Sequence, residues 1–350
     1  MKPHVSGRWA AQRLGTTAGA EAPTDGETVV RHLGAVQAQL PDMALWALGR
    51  RCGRTAAELQ AEIDTGVVLR THVLRPTWHL VHRDDLDLLL DLTAPRVRRL
   101  MAGVDRQLGV DEAARDRAGE VVGVVLADGP ATRPELATAL ADGGIAGTGQ
   151  YVGHVLTHLE LDGVMASGPT RDGVQTYATR TPGALTGTRD DRLAELARRY
   201  GAGHGAFRPL DLAWWASLTL TEARRAVQLA ELPTLELDSE PYVVPHAPID
   251  APVPHAVLLP NFDEYTSYAR DPDDFADFAG TVQDIVRGTG LLLVDGRVAG
   301  TWRRTLRARS VRIEVTCTPQ VTRRLRTALE AEAEAFGRFV DRTAEVQIDG

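Results

Sequence analysis

A chain of 350 residues, 43% hydrophobic and 25% charged, has material for about two to four soluble globular domains. Its net charge of −8 argues against a uniformly basic nucleic-acid binder. With Cys52 and Cys317 the only cysteines and Lys2 the only lysine, a disulfide framework, a Cys-rich zinc site, a P-loop and a buried Schiff-base lysine are not expected.

No run of about 18 apolar residues occurs, so no membrane span is expected. The opening MKPHVSGRWAAQRLG lacks an apolar signal core, which sets a cytoplasmic location as the expectation. After a small-residue loop (15–26), ETVVRHLGAVQAQ places Val29, Val30, Leu33 and Val36 at helical spacing. A second helix is expected in DMALWALGRR. A third follows in TAAELQAEIDTG, where Thr55 and Glu58 form a capping-box signature. VVLRTHVLRPTWHLVH then alternates like a hairpin. Three helices and a hairpin make the order of a winged-helix module.

That order repeats. RDRAGEVVGVVLADG, TRPELATALADGG (Thr132 as N-cap, Glu135 completing the box) and GQYVGHVLTHLELDG are expected helices, and VMASGPTRDGVQTYATR two strands. A shorter third copy is expected across DRLAELARRYGAGHGAFRPLDLAWWASLTLTEARRAVQLA. Thr219 or Thr221 is its N-cap candidate, and Trp214, Trp215 or both are core residues. Beyond about residue 240 the composition turns Pro-rich and strand-like. Asp295-Gly296 marks a hairpin turn, and QVTRRLRTALEAEAEAFGRFVD an amphipathic helix. The expected organisation is α+β. It comprises three tandem winged-helix modules (1–109, 110–185, 186–245) and a C-terminal β-rich, barrel-like domain (246–350) with a basic hairpin and a terminal helix.

Several chemistries lack their signatures. His154 and His158 stand at i, i+4 but have no third ligand and no H-E-x-x-H pattern, so a structural role is expected and no metal. His72, His79 and His82 read as packing residues. GGIAGTGQ follows a helix rather than a strand, so it is a connector and not a dinucleotide fingerprint. Asp263 and Glu264 in NFDEY read as loop-capping or packing acids, with a site role as the alternative. Between Thr301 and Arg326, Arg303, Arg304, Arg307, Arg309, Arg312, Arg323, Arg324 and Arg326 face one acid, Glu314. A local basic surface on an acidic protein follows.

The segments WAAQRLG, HLGAVQAQLPDMALWALGRR, LRTHVLRPTWHLVHRDDL, DLAWWASL, LLPNFDEY and LLLVDGRVAGTWRR together resemble, in order and across nearly the whole chain, the AlkZ/YcaQ family of bacterial winged-helix DNA glycosylases. Gln37 and Gln39 resemble the Gln-apolar-Gln motif of the AlkZ, azinomycin-resistance branch. In the YcaQ branch the third motif position is acidic. The resemblance implies a C-shaped molecule with a concave DNA-binding face. It also implies cleavage of the N-glycosidic bond of N7-alkylated guanine in double-stranded DNA, including bulky adducts and interstrand crosslinks. Gln37 and Gln39 would be catalytic, no cofactor would be needed, and the enzyme would act as a nucleoid-associated monomer. A non-catalytic winged-helix regulator and a general N7-alkylpurine glycosylase are the alternative functions.

A regular helix would turn Gln37 and Gln39 about 200° apart, so joint action requires the helix to end or bend near Ala38, as Pro41 favours. A base alkylated at N7 is cationic and leaves neutral. Two amides that position a water are then enough, without an acid. With no usable lysine, hydrolysis without strand nicking is expected. Arg303, Arg304, Arg307 and Arg309, around a strand connection, are the expected phosphate or groove contacts.

Overall fold

A computed structural model describes residues 3–14, 23–145, 147–237, 240–245, 252–267, 288–318 and 320–349. The acidic stretch RDPDDFADF and most of the 15–26 loop lie outside them. After α1 (Pro3–Ala11), the first module runs α2 (Gly26–Leu33), β1 (Val36–Gln37), α3 (Pro41–Cys52), α4 (Ala56–Asp64), β2 (Val68–His72) and β3 (Trp78–His82). Its sheet order is β1-β3-β2. A 23-residue helix, α5 (Leu86–Leu108), follows where no element was expected. The second module repeats the plan with α6 (Glu112–Ala127), β4 (Ala131–Thr132), α7 (Arg133–Asp142), α8 (Gly149–Leu161), β5 (Met165–Arg171) and β6 (Val174–Thr179), in sheet order β4-β6-β5. The third has α9 (Arg189–His204), α10 (Pro209–Trp215), α11 (Leu220–Ala230) and the hairpin β7 (Thr234–Leu237)–β8 (Glu240–Val243).

Short polar motifs start these helices where the sequence places them. Thr55, Thr132 and Thr219 each accept from the third residue of their helix, and Glu58, Glu135 and Glu222 bond back, closing capping boxes. The C-terminal unit is one five-stranded sheet, β13-β12-β11-β10-β9. It is built from β9 (Ala256–Leu259), β10 (Gly290–Val294), β11 (Arg297–Leu306), β12 (Ser310–Cys317) and β13 (Thr343–Asp349), with α12 (Arg323–Phe339) before the last strand. The chain therefore does not end in the expected terminal helix. It returns through β13, parallel to β12. Asp295 and Gly296 (φ 48° and 80°) make the expected tight turn between β10 and β11.

The cores tie the units together. Val29, Leu33, Val36 and Trp46 of the first module pack in one apolar cluster with Leu258, Trp302, Ile313 and Phe336 of the C-terminal unit. Trp46 Nε1 also donates to the Leu258 carbonyl at 2.8 Å. A second cluster joins β2, β3 and α5 to α9, α10 and α11. Strand β1 thus sits on a module clamped from two sides, which fixes the position of any side chain it displays.

Candidate functional site

The helical reading of the glutamine motif does not hold. α2 ends at Leu33, four residues before Gln37. Gly34 takes φ 78°, a left-handed conformation that suits glycine, at the turn that stops the helix. Val36 continues the helical spacing but is buried as a strand residue. The register is Val36 opposite Leu80 and Gln37 opposite His79. The Ala38 N–H donates to the Trp78 carbonyl at 2.7 Å, and Arg70 Nε donates to the Ala38 carbonyl at 2.9 Å. Leu40 is also extended (φ −108°, ψ 107°) before Pro41 opens α3. Gln37 is the last strand residue, and Gln39 and Leu40 stand in a bend, so the 200° spacing of a helix does not apply to the pair.

Both amides meet the loop between β2 and β3. Arg75 Nη2 donates to Gln37 Oε1 at 2.9 Å, and Thr77 Oγ1 donates to Gln39 Oε1 at 2.7 Å. A guanidinium can only donate, so the Gln37 oxygen must face Arg75 and its NH2 group points elsewhere. Among the described hydrogen bonds neither glutamine nitrogen has a partner. Gln37 is half-buried and Gln39 exposed.

Arg75 is itself held. It also donates to the Trp215 carbonyl at 2.8 Å, lies 3.1 Å from His79 Nε2, and stands 4.8 Å from the centre of the Trp214 ring. Burial lowers its pKa, opposed by the Glu264 carboxylate. His79 is fully buried. Burial first, and the Arg75 charge second, push its pKa well below the usual histidine value, so it is neutral at pH 7.

Behind β1 lies Glu264, with no exposed surface. One carboxylate oxygen accepts the Gln37 backbone N–H at 3.0 Å; the other accepts Trp215 Nε1 at 2.8 Å and faces His204 Nε2 at 3.4 Å. Asp263 accepts the Tyr265 N–H at the start of a 3-10 turn and forms a two-pronged pair with Arg51 (2.8 and 2.9 Å), both side chains almost wholly buried. Asp263 is thus the capping and packing acid the sequence suggested, whereas Glu264 supports the backbone of Gln37 directly.

The remaining sequence candidates divide. Trp215 is buried and Trp214 is 40% exposed. His154 and His158 both bond Asp105 (2.8 and 3.0 Å), and His72 bonds Glu160 at 2.6 Å, so these histidines are structural. No group of three or more metal-type ligands occurs among the described residues. Arg303, Arg307 and Arg309 are exposed on the β11–β12 hairpin. Arg304 is half-buried and bonds Asp42, at the start of α3, with Nε at 3.1 Å. A 580 Å³ cleft lined by Leu40, Asp42, Thr289, Arg303 and Arg304 joins the hairpin to the end of the glutamine segment. Arg75 and Thr77 were missed as site residues. The available signal was Arg-Pro-Thr at the turn of the hairpin, with Leu74 at φ 65° marking the sharp turn.

Repeated modules of helices and a hairpin thus flank the strand that ends at Gln37. Residues 30–339 match the family "DNA glycosylase AlkZ-like", and the chain belongs to that family of DNA glycosylases. Its fold is similar over 100% of both chains to the DNA glycosylase AlkZ of Streptomyces sahachiroi, with a TM-score of 0.76 at 21% identity. No curated protein matches the sequence. No described helix is long and apolar enough to cross a membrane.

Proposed function

We propose that this DNA glycosylase hydrolyses the N-glycosidic bond of N7-alkylated guanine in double-stranded DNA, bulky adducts and interstrand crosslinks included. Gln37 and Gln39 carry the reaction. The observation that supports this most directly is their common anchor: each carbonyl is tethered by the 75–77 loop, and neither NH2 group has a partner among the described hydrogen bonds. An N7-alkylated base is already cationic and departs neutral, so the site needs no acid. It needs a water held near C1′ and dipoles fixed before the bond breaks. Each amide oxygen keeps a second lone pair for that water, while the free NH2 groups can hold an acceptor on the base or backbone. Arg75 and Thr77 fix the amides in advance, which lowers the reorganisation needed at the moment of reaction.

A single-turnover assay of base release from an N7-methylguanine duplex tests the assignment. Gln37→Ala and Gln39→Ala should lose most of the rate, and wild-type rates in both variants would remove the assignment. Comparing that duplex with a crosslinked one separates a crosslink enzyme from a general N7-alkylpurine glycosylase. Hydrolysis without strand nicking predicts no borohydride-trapped adduct. Arg303, Arg307 and Arg309 are proposed as phosphate or groove contacts, with Arg304 bracing the hairpin on α3. Alanine at all four should flatten the salt dependence of binding, by about three units of slope for the three exposed side chains. An unchanged slope removes that contact.

A further inference from the structure

One large aromatic side chain at this site is left uncovered. α10 is fixed by Trp215, whose indole donates to Glu264 and whose ring packs 5.1 Å from Tyr200. Trp214, the next residue, turns outward and is 40% exposed. Leu210, one helical turn earlier, is 48% exposed. The described contact on the Trp214 ring is Arg75, the same guanidinium that holds Gln37. An exposed tryptophan one side chain away from the glutamine pair is placed to meet DNA wherever the pair does.

The arginine also constrains what the ring accepts. A cation over an aromatic ring draws on the π density that a second cation would use. The ring therefore suits an uncharged base better than the cationic lesion. Once the glycosidic bond of a damaged guanine is cut, the base across from it has lost its pairing partner. We infer that Trp214, backed by Arg75, is the stacking site for the uncharged nucleobase left unpaired opposite the lesion. This rests on the reading of the protein as a lesion-processing enzyme at Gln37 and Gln39. It adds a contact to the undamaged strand, which recognition of the lesion alone does not require. Stacking on an aromatic ring tolerates any base, so the site reads the presence of a base and not its identity.

The test uses two duplexes with a tetrahydrofuran abasic analogue, one opposite cytosine and one opposite a second tetrahydrofuran, with affinities read by fluorescence anisotropy. The full-length protein should bind the cytosine duplex about tenfold more tightly, within the range for stacking one base. Trp214→Phe should keep most of that preference. Trp214→Ala and Trp214→Leu should lose it, the leucine variant keeping apolar cover without a π face. Because Trp214 is exposed, thermal midpoints should change little. An absent preference in the wild type, a preference that survives in Trp214→Leu, or an equal loss of affinity for both duplexes would overturn the inference. Gln37→Ala should keep the preference while losing base release, so failure of the catalytic assignment and failure of the stacking site give different results.

Discussion

The same short strand occurs twice in this molecule and does two different things. In the second module β4 runs straight into α7, and Thr132, its last residue, caps that helix and receives Glu135 in return. In the first module β1 ends at Gln37, and three further residues, Ala38, Gln39 and Leu40, separate it from α3, whose N-cap Leu40 offers no side-chain bond. Where strand and helix abut, the polar side chain at the junction serves the helix. Where a three-residue spacer intervenes, the polar side chains are free for other partners, and here they meet Arg75 and Thr77. What α3 lacks in a cap is replaced by proline at its start and by burial of its apolar face. One architecture thus yields a structural junction and a displayed amide pair, and the difference is the spacer.

The comparison can be broken most severely behind β1. Asp263→Ala would leave the Arg51 guanidinium buried without its carboxylate, with an expected loss of about 3–5 kcal/mol in urea unfolding and collapse of the first-module site. Among the described residues no buried ion pair of this kind supports β4, so a small effect would mean that β1 does not depend on this scaffold. Gln37→Ala should cut single-turnover base release about 100- to 1,000-fold, the range for removing one preorganised dipole, while changing stability by about 1 kcal/mol.

Acid should also weaken the first module. His32, bonded to the Ala11 carbonyl at 2.6 Å, has its pKa lowered by burial to about 4, and that of His79 is lowered further below its usual value than that of His158 in the second module. The unfolded chain then binds protons near pH 6.5 that the folded chain refuses. Stability is therefore full above pH 6.5 and falls as the pH drops towards 4, by at most about 1.4 kcal/mol per pH unit for each histidine. Denaturant midpoints across this range should show a slope that His32→Gln reduces. The smallest effect is expected at the other junction. Thr132→Ala should cost about 1 kcal/mol through the lost cap and leave base release unchanged. A loss of activity there would end the distinction between the two strands.

Where local rules decide the structure, the sequence was readable. The capping boxes at Thr55, Thr132 and Thr219 and the Asp295-Gly296 turn involve partners within a few residues, so spacing alone reveals them. The glutamine motif was misread because Val36 stands three residues after Leu33 and satisfies helical periodicity. Its burial comes instead from pairing with Leu80, 44 positions away in the chain. Gly34 was the local sign that the helix stopped. The resemblance in ordered motifs pointed to Gln37 and Gln39 as the pair, but not to the groups that orient them. Arg75 and Thr77 lie across a hairpin, and Glu264 arrives from more than 200 residues away.

Composition, capping spacing and the order of helices and hairpins determined the modular α+β plan, because those signals depend on interactions between near neighbours. The tertiary structure alone decided that two amides meet one loop, that an arginine and a buried carboxylate hold the first and a threonine the second, and that one of two adjacent tryptophans is left exposed beside them. Each of these depends on which distant segments pack together. No spacing within a single segment encodes that.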